Sequence, residues 1–261
     1  MSDRIAAAFA DGSKRAALMP YLMGGYPSLE LSRTAGLAAA DAGADLLELG
    51  IPFSDPLADG PVIHAAATAA LADGATLDRV LDTCAAVSDR VPVVAMCYAN
   101  MVLAEGPRRY AERLAAAGAA GTIVPDLPLE EAGALGPELD ARGIALVPLV
   151  APTTPPERRR WICGRAEGFV YVVSIAGVTG ERDELPPELA DLVAAVRSEA
   201  SVPAAVGFGI ATPEQAAAVA EIADGVIIGS RLVRAVADAG DPSAAAAAVE
   251  NFLRRARTAM E

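Results

Sequence analysis

The sequence predicts an α/β fold, a closed (β/α)8 TIM barrel with an extra N-terminal helix and a C-terminal helix. Three observations carry that expectation. Eight short β-prone runs recur along the 261 residues, each entering a Gly-, Pro- or Asx-containing loop and then a helix-like Ala/Leu segment. The runs are almost continuously apolar, as strands covered by helices must be. The turn after the first run, "GGYPSLE", lacks the G-x-G-x-x-G of an open dinucleotide-binding sheet.

In chain order the strands are read as "LMPYLMGG" (18–25), "DLLELG" (45–50), "PVVAMCYAN" (92–100) and "GTIVPD" (121–126). The second half supplies "IALVPLV" (144–150), "FVYVVS" (169–174), "PAAVGFG" (203–209) and "GVIIGS" (225–230). Between them, segments such as "LSRTAGLAAADAGA", "RRYAERLAAAGAA" and "PEQAAAVAEIA" have helix-forming composition with apolar residues at helical spacing. The phrase "AGADLLE" has echoes in "AGAAGTIV" and "ADGVIIG", a helix end running into a strand, which marks an internal βα repeat. An amphipathic segment over about 2–10 and a helix over about 243–258 flank the repeat. No linker or low-complexity tract interrupts it, so residues 1–261 are expected to form a single barrel domain.

Composition narrows the function. A net charge of −13 argues against nucleic acid, which needs a basic footprint. It decides little about a small anion, because distant surface charges fade over about 8 Å at physiological salt. No apolar run approaches the roughly 18 residues of a membrane span. The N-terminus, "MSDRIAAAFADGSKR", has no basic region ahead of a long apolar one. Cys84, Cys97 and Cys163 lack metal-type spacing, and an odd number suits a reducing compartment. A cytoplasmic protein that does not enter membranes is expected.

Barrel active sites lie at the C-terminal ends of the strands, where this chain places Gly24, Gly25, Glu48, Asn100, Asp126, Ser174, Gly209, Gly229 and Ser230. Strand side chains alternate, so Leu47 and Leu49 face the helices while Leu46 and Glu48 point into the barrel. A buried ion pair would be the plain explanation for Glu48, but the strands carry no arginine to partner it. Two further loops suit a phosphate. "GFGIATPE" and "GSRLV" each place glycine where backbone must come close and each runs into a helix start. "AGVTG" (176–180) adds a glycine segment with a threonine hydroxyl. A tight βα connection would also account for any one of these turns.

Scarcity removes mechanisms. The only lysine, Lys14, precedes the first strand, so neither a Schiff-base aldolase nor pyridoxal phosphate has its lysine. The only histidine, His64, cannot form the histidine cluster a metal-dependent aldolase usually wants, and it reads as a surface or packing residue. General acid–base chemistry by carboxylates remains.

The run "ELGIPFSDPLADGPVI" (48–63) closely resembles the signature of the tryptophan synthase α-subunit family. "MCYANMV" (96–102), "VPDLPLEE" (124–131), "GVTGER" (177–182), "VGFGIATPEQ" (206–215) and "GVIIGS" (225–230) resemble it in order and spacing. The resemblance implies a (β/α)8 barrel and retro-aldol cleavage of indole-3-glycerol phosphate to indole and glyceraldehyde 3-phosphate. Glu48 and Asp59 match the family's catalytic carboxylates, and Tyr171 a substrate-site tyrosine. Tyr21, Tyr98, Met96, Ile123 and Phe208 are then walls for the indole, or simply core. Thr179, Gly180, Gly209, Gly229 and Ser230 match phosphate and lid positions, with the lid over about 176–187. The resemblance also implies a β subunit that carries the pyridoxal phosphate, an α2β2 assembly, and docking through Pro52, Phe53, Asp55 and Asn100; this chain is expected to hold no cofactor. The sequence departs from the usual family pattern at Tyr26, His64 and Ile175, where aspartate, glutamine and arginine are common. A stand-alone lyase releasing free indole, an idle β-activating paralogue and another phosphate-binding barrel are the competing readings.

Overall fold

The computed structural model describes residues 3–10, 12, 14–174, 186–207 and 209–261. Its strands are β1 (Ala17–Met23), β2 (Leu47–Gly50), β3 (Val93–Met96), β4 (Gly121–Ile123), β5 (Ala145–Leu146), β6 (Leu149–Val150), β7 (Val170–Val173), β8 (Ala204–Gly207) and β9 (Gly225–Ile228). All neighbours pair in parallel, in the order β5-β4-β3-β2-β1-β9-β8-β7-β6. The two ends of that order, β5 and β6, are halves of one run separated only by Val147 and Pro148. The sheet therefore comes back to itself as a (β/α)8 barrel.

The sequence reading expects one strand over 144–150, and the structure breaks it in the middle. Pro148 has no N–H to give to a ladder. At the same point the pairing changes sides. The Val147 N–H donates to the Thr122 carbonyl on the β4 side, and the Pro148 carbonyl accepts from the Tyr171 N–H on the β7 side, both at 2.9 Å.

Strand alternation sorts the core into two layers. Leu18, Leu22, Leu47, Leu49, Val93, Val170, Val172, Val206, Val226 and Ile228 face the helices. Met19, Leu46, Val94, Tyr171, Val173, Ala205 and Ile227 face inward. The N-terminal helix, Asp3–Phe9, closes the lower end of the barrel. Ile5 is fully buried in the inner layer, and the Phe9 ring lies 5.8 Å from that of Phe169. The last helix, Pro242–Met260, packs on the helices Leu29–Asp41 and Pro213–Ala220. Among the described residues no helix is long and apolar enough to cross a membrane.

Several helix starts follow from local chemistry. Ser28, Thr76 and Asp241 each accept a backbone N–H from the first turn of the helix they precede. Thr212 and Gln215 form a reciprocal capping box at Pro213–Ala220.

Below the barrel, Asp45 gathers three segments that are distant in sequence. Its carboxylate is 4% exposed, accepts the Leu18 N–H at 2.7 Å, and pairs with both Lys14 and Arg257. Arg257 also donates to the carbonyls of Ala16 (3.2 Å) and Gly43 (3.0 Å). One buried anion thus ties the entry to β1, the entry to β2 and the final helix. Removing the carboxylate deprives the half-buried Arg257 of its anionic partner and the buried Leu18 N–H of its acceptor. Asp45→Ala is expected to destabilise the fold by about 3 kcal/mol, measured by urea denaturation. A loss no larger than that of an exposed Asp→Ala substitution would contradict this account.

Candidate active site

The upper end of the barrel opens into a cavity lined by Tyr21, Ala58, Asp59, Ile63, Met96, Pro125, Leu149, Tyr171, Gly209, Ile210, Ile227, Gly229 and Ser230. The strands contribute inward-facing side chains and the loops above them contribute the rim. Tyr21 and Tyr171 each lean across the neighbouring strand, Tyr21 over Gly50 and Tyr171 over Gly207. A Cβ at either glycine would collide with the tyrosine hydroxyl. The glycines are there to admit the rings.

Glu48 faces inward as alternation requires and is the register partner of Tyr21. It is 0% exposed, and among the described residues neither carboxyl oxygen has a hydrogen-bond partner. Burial alone pushes its pKa up to about 8. The group therefore holds a proton at neutral pH. It lies covered beside Tyr21 rather than on the open cavity surface.

Asp59 stands in a different setting, on the loop after β2 and on the cavity wall. Burial raises its pKa, while a hydrogen bond from the Tyr98 hydroxyl and the nearby His64 ring pull it back down. Tyr21 and Tyr171 are pushed well above the usual phenol value, by burial first and then by the Glu48 and Asp59 carboxylates. Two carboxyl groups and two phenols thus share one electrostatic environment. A protonated acid beside a cavity, with a second carboxylate on its wall, can deliver one proton and stabilise positive charge on the same bound molecule.

The far side of the cavity offers main chain. Gly209 has φ +88°, a left-handed conformation that favours glycine. Gly229 precedes the helix Ser230–Ala237, and Gly229 and Ser230 both line the cavity, which places a helix start at its rim.

Of the residues singled out from sequence, Glu48, Asp59, Tyr21, Met96, Tyr171, Gly209, Gly229 and Ser230 come together here. Ile123 is fully buried on β4 in the inner core layer. Tyr98 stands behind the wall, with its hydroxyl on Asp59 and its ring stacked on Phe53 at 5.3 Å between centroids. Thr179, Gly180, Phe208, Ile175 and most of the expected lid (176–187) lie outside the described residues. Pro52 is buried, Phe53 half-buried and Asp55 exposed on the loop after β2, and Asn100 is exposed at the start of the helix Ala99–Glu105 that follows β3. Leu57 (78% exposed) and Leu103 (68% exposed) stand out from the same side. His64 is exposed on the helix Pro61–Ala72, and Tyr26 is half-buried against the cluster around Tyr21. The sequence reading misses Ile63, Pro125, Leu149, Ile210 and Ile227 as wall residues. Alternation within "GVIIGS" would have found Ile227, since its neighbour Ile228 packs outward. Among the described residues no group of His, Cys, Asp and Glu is arranged to hold a metal ion.

The comparisons agree on one family. The family profile described as tryptophan synthase alpha chain matches residues 8–261. The tryptophan synthase alpha chain of Gloeobacter violaceus is 46% identical over 99% of this chain and 95% of that protein. That of Lactiplantibacillus plantarum is 43% identical over 94% of this chain and 92% of its own. A solved Mycobacterium tuberculosis tryptophan synthase superposes with a TM-score of 0.90 at 35% identity, covering 98% of each chain. A Legionella pneumophila tryptophan synthase subunit alpha gives 0.88 at 37% identity, again over 98% of each.

The buried acid has a consequence for stability that needs no substrate. Unfolded, Glu48 ionises near 4.5; folded, near 8. Its penalty is absent below the unfolded value, grows as pH rises between the two, and levels off above the folded one. Near pH 7 it amounts to roughly 3 kcal/mol. Glu48→Gln is therefore expected to be the more stable protein near pH 7 and to lose that advantage near pH 4, as read by chemical denaturation. An advantage that does not change with pH would contradict the assignment.

Proposed function

The chain belongs to the tryptophan synthase alpha chain family, and from that premise we propose that it cleaves indole-3-glycerol phosphate to indole and glyceraldehyde 3-phosphate with Glu48 and Asp59 as its acid–base machinery. The observation that carries the proposal is Glu48 itself, an inward carboxyl with no partner among the described residues and a pKa of about 8, coupled to a cavity whose wall holds a second carboxylate.

The chemistry uses each environment differently. Protonated Glu48 gives its proton to indole C3, which leaves positive charge on the ring. Asp59 accepts a hydrogen bond from the indole N–H and stabilises that charge. The Glu48 carboxylate then takes the proton of the hydroxyl on the carbon attached to C3. The electrons of that O–H bond form the aldehyde carbonyl, and those of the breaking C–C bond return to the ring. Glu48 finishes protonated, as it began. With no hydrogen bond to give up among the described residues, its side chain is free to turn toward the substrate. Tyr21, Met96, Ile227 and Tyr171 offer an apolar bed for the indole, and the Gly209 turn with the start of the helix Ser230–Ala237 offers N–H groups to the phosphate. Thr179 and Gly180 are proposed to complete the phosphate site and lid.

The proposal extends to the setting: the cytoplasm, an α2β2 assembly, and pyridoxal phosphate on the β chain with no cofactor on this one. The exposed Leu57 and Leu103, with Phe53, Asp55 and Asn100, support a protein partner on the loop after β2 and the helix Ala99–Glu105 after β3. The whole of residues 1–261 is proposed to act as one barrel domain.

The decisive experiment is indole production from indole-3-glycerol phosphate by the purified chain, with and without a β subunit. Slow turnover that rises sharply on adding β is expected. Fast turnover unchanged by β would make the chain a free-standing lyase, and no indole from folded protein under either condition would overturn the reading. Glu48→Gln is expected to lower kcat by about 10²–10⁴-fold. In the unsubstituted enzyme kcat/KM should fall as pH rises through about 8, where free Glu48 loses its proton. A pH profile flat between 7 and 9 would remove Glu48 from the role of acid.

A further inference from the structure

Tyr98 is absent from the cavity wall, yet it touches both groups that matter on the loop after β2. It precedes the helix Ala99–Glu105, whose first N–H, that of Ala99, is held by the Asp126 carboxylate at 2.8 Å. The Tyr98 ring is buried and stacks on Phe53, with centroids 5.3 Å apart and planes 26° apart. Its hydroxyl accepts the Ala58 N–H at 3.2 Å and donates to the Asp59 carboxylate. A phenol can make both bonds at once, because its oxygen keeps lone pairs while its proton is given away.

We propose that Tyr98 is the positioning residue for Asp59: one hydroxyl fixes the backbone at Ala58 and the carboxylate beside it, and one ring ties both to Phe53 on the exposed side of the same loop. The proposal rests on the reading of Asp59 as a group that acts on the substrate. Loops place side chains less rigidly than strands do. Asp59 is carried by a loop, and the rigidity it lacks is supplied from the neighbouring βα unit through Tyr98.

The consequence for ionisation has a definite sign. Asp59 is faced by Tyr98 from the loop after β3, His64 from the helix Pro61–Ala72, Glu48 from β2, Tyr21 from β1 and Tyr171 from β7. Burial raises its pKa, and the Tyr98 hydrogen bond and His64 oppose that rise. Removing the hydroxyl therefore moves the Asp59 pKa further up, and the acid limb of activity, where Asp59 must be ionised, moves to higher pH.

Tyr98→Phe keeps the ring and its stack and removes only the hydroxyl. The expected result is a fall in kcat of about tenfold to a hundredfold, the loss of one hydrogen bond to a charged group, with KM changing less and the acid limb displaced upward. A merely structural role would lower the fraction of active protein and leave the limb where it was. That outcome, or unchanged kcat, overturns the proposal. A measurement on the unsubstituted chain avoids any question of folding. The NMR resonance of the Tyr98 ring carbon bearing the hydroxyl should titrate with the same midpoint as the Asp59 carboxyl, assigned through Asp59→Asn. Different midpoints, or no titration at Tyr98, overturn it. Because this titration needs no turnover, a chain that made no indole would defeat the cleavage reading while the NMR result still decided the placement of Asp59.

Discussion

A carboxyl group buried without a hydrogen-bond partner among the described residues carries a large desolvation cost, and the arrangement around it follows from that cost. Glu48 avoids the full penalty by staying protonated, which its surroundings enforce by withholding cations and donors. An arginine within reach would make the site cheaper to fold and hold the group as a permanent anion. Among the described residues no basic side chain lines the cavity, which suits a group that must keep a proton near neutrality and still be able to lose it.

The two carboxyls divide the work because strand and loop supply different environments. β2 fixes Glu48 by pairing on both sides, with β1 and with β3. Asp59 sits eleven residues further along, on the loop side of the same unit, where Tyr98 and His64 favour its charged form against burial. One group is kept neutral by what is missing, the other is steadied as an anion by what is present. The tyrosines between them complete the separation. Tyr21 and Tyr171 stay un-ionised across the physiological range, and their rings cover the floor without adding charge of their own.

The legible part of the fold was its alternation. Near-continuous apolar runs gave the parallel barrel, and the period of two placed Leu46 and Glu48 inward and Leu47 and Leu49 outward, as they are found. Three things were not legible, each for a physical reason. The break in the fifth run depends on which neighbour each half pairs with, and local composition does not encode that beyond the hint of Pro148. Gly50 reads from sequence as a strand end and Gly207 as an interior residue of the run 203–209, whereas both make space for a ring on the adjacent strand, a contact between distant residues. Tyr98 entered as a wall candidate, or simply core, through the family resemblance; its hydroxyl meets Ala58 and Asp59 through the path of the loop after β2, which Pro52 and Pro56 stiffen but do not reveal.

Strain and support are divided between the two ends of the barrel. At the lower end Asp45 is buried with two cations, Lys14 and Arg257, and one backbone donor, the Leu18 N–H, joining β1, β2 and the last helix. At the upper end Glu48 is buried with none among the described residues. Both carboxyls belong to the same short stretch, "DLLE", three residues apart along one strand entry. Because that strand is rigid, stabilisation gained at Asp45 offsets a penalty at Glu48 without altering its environment. Substitutions at the lower end should therefore move stability and leave the acid's pKa alone, whereas any donor or cation added at the upper end would gain stability by lowering the very pKa on which proton delivery depends.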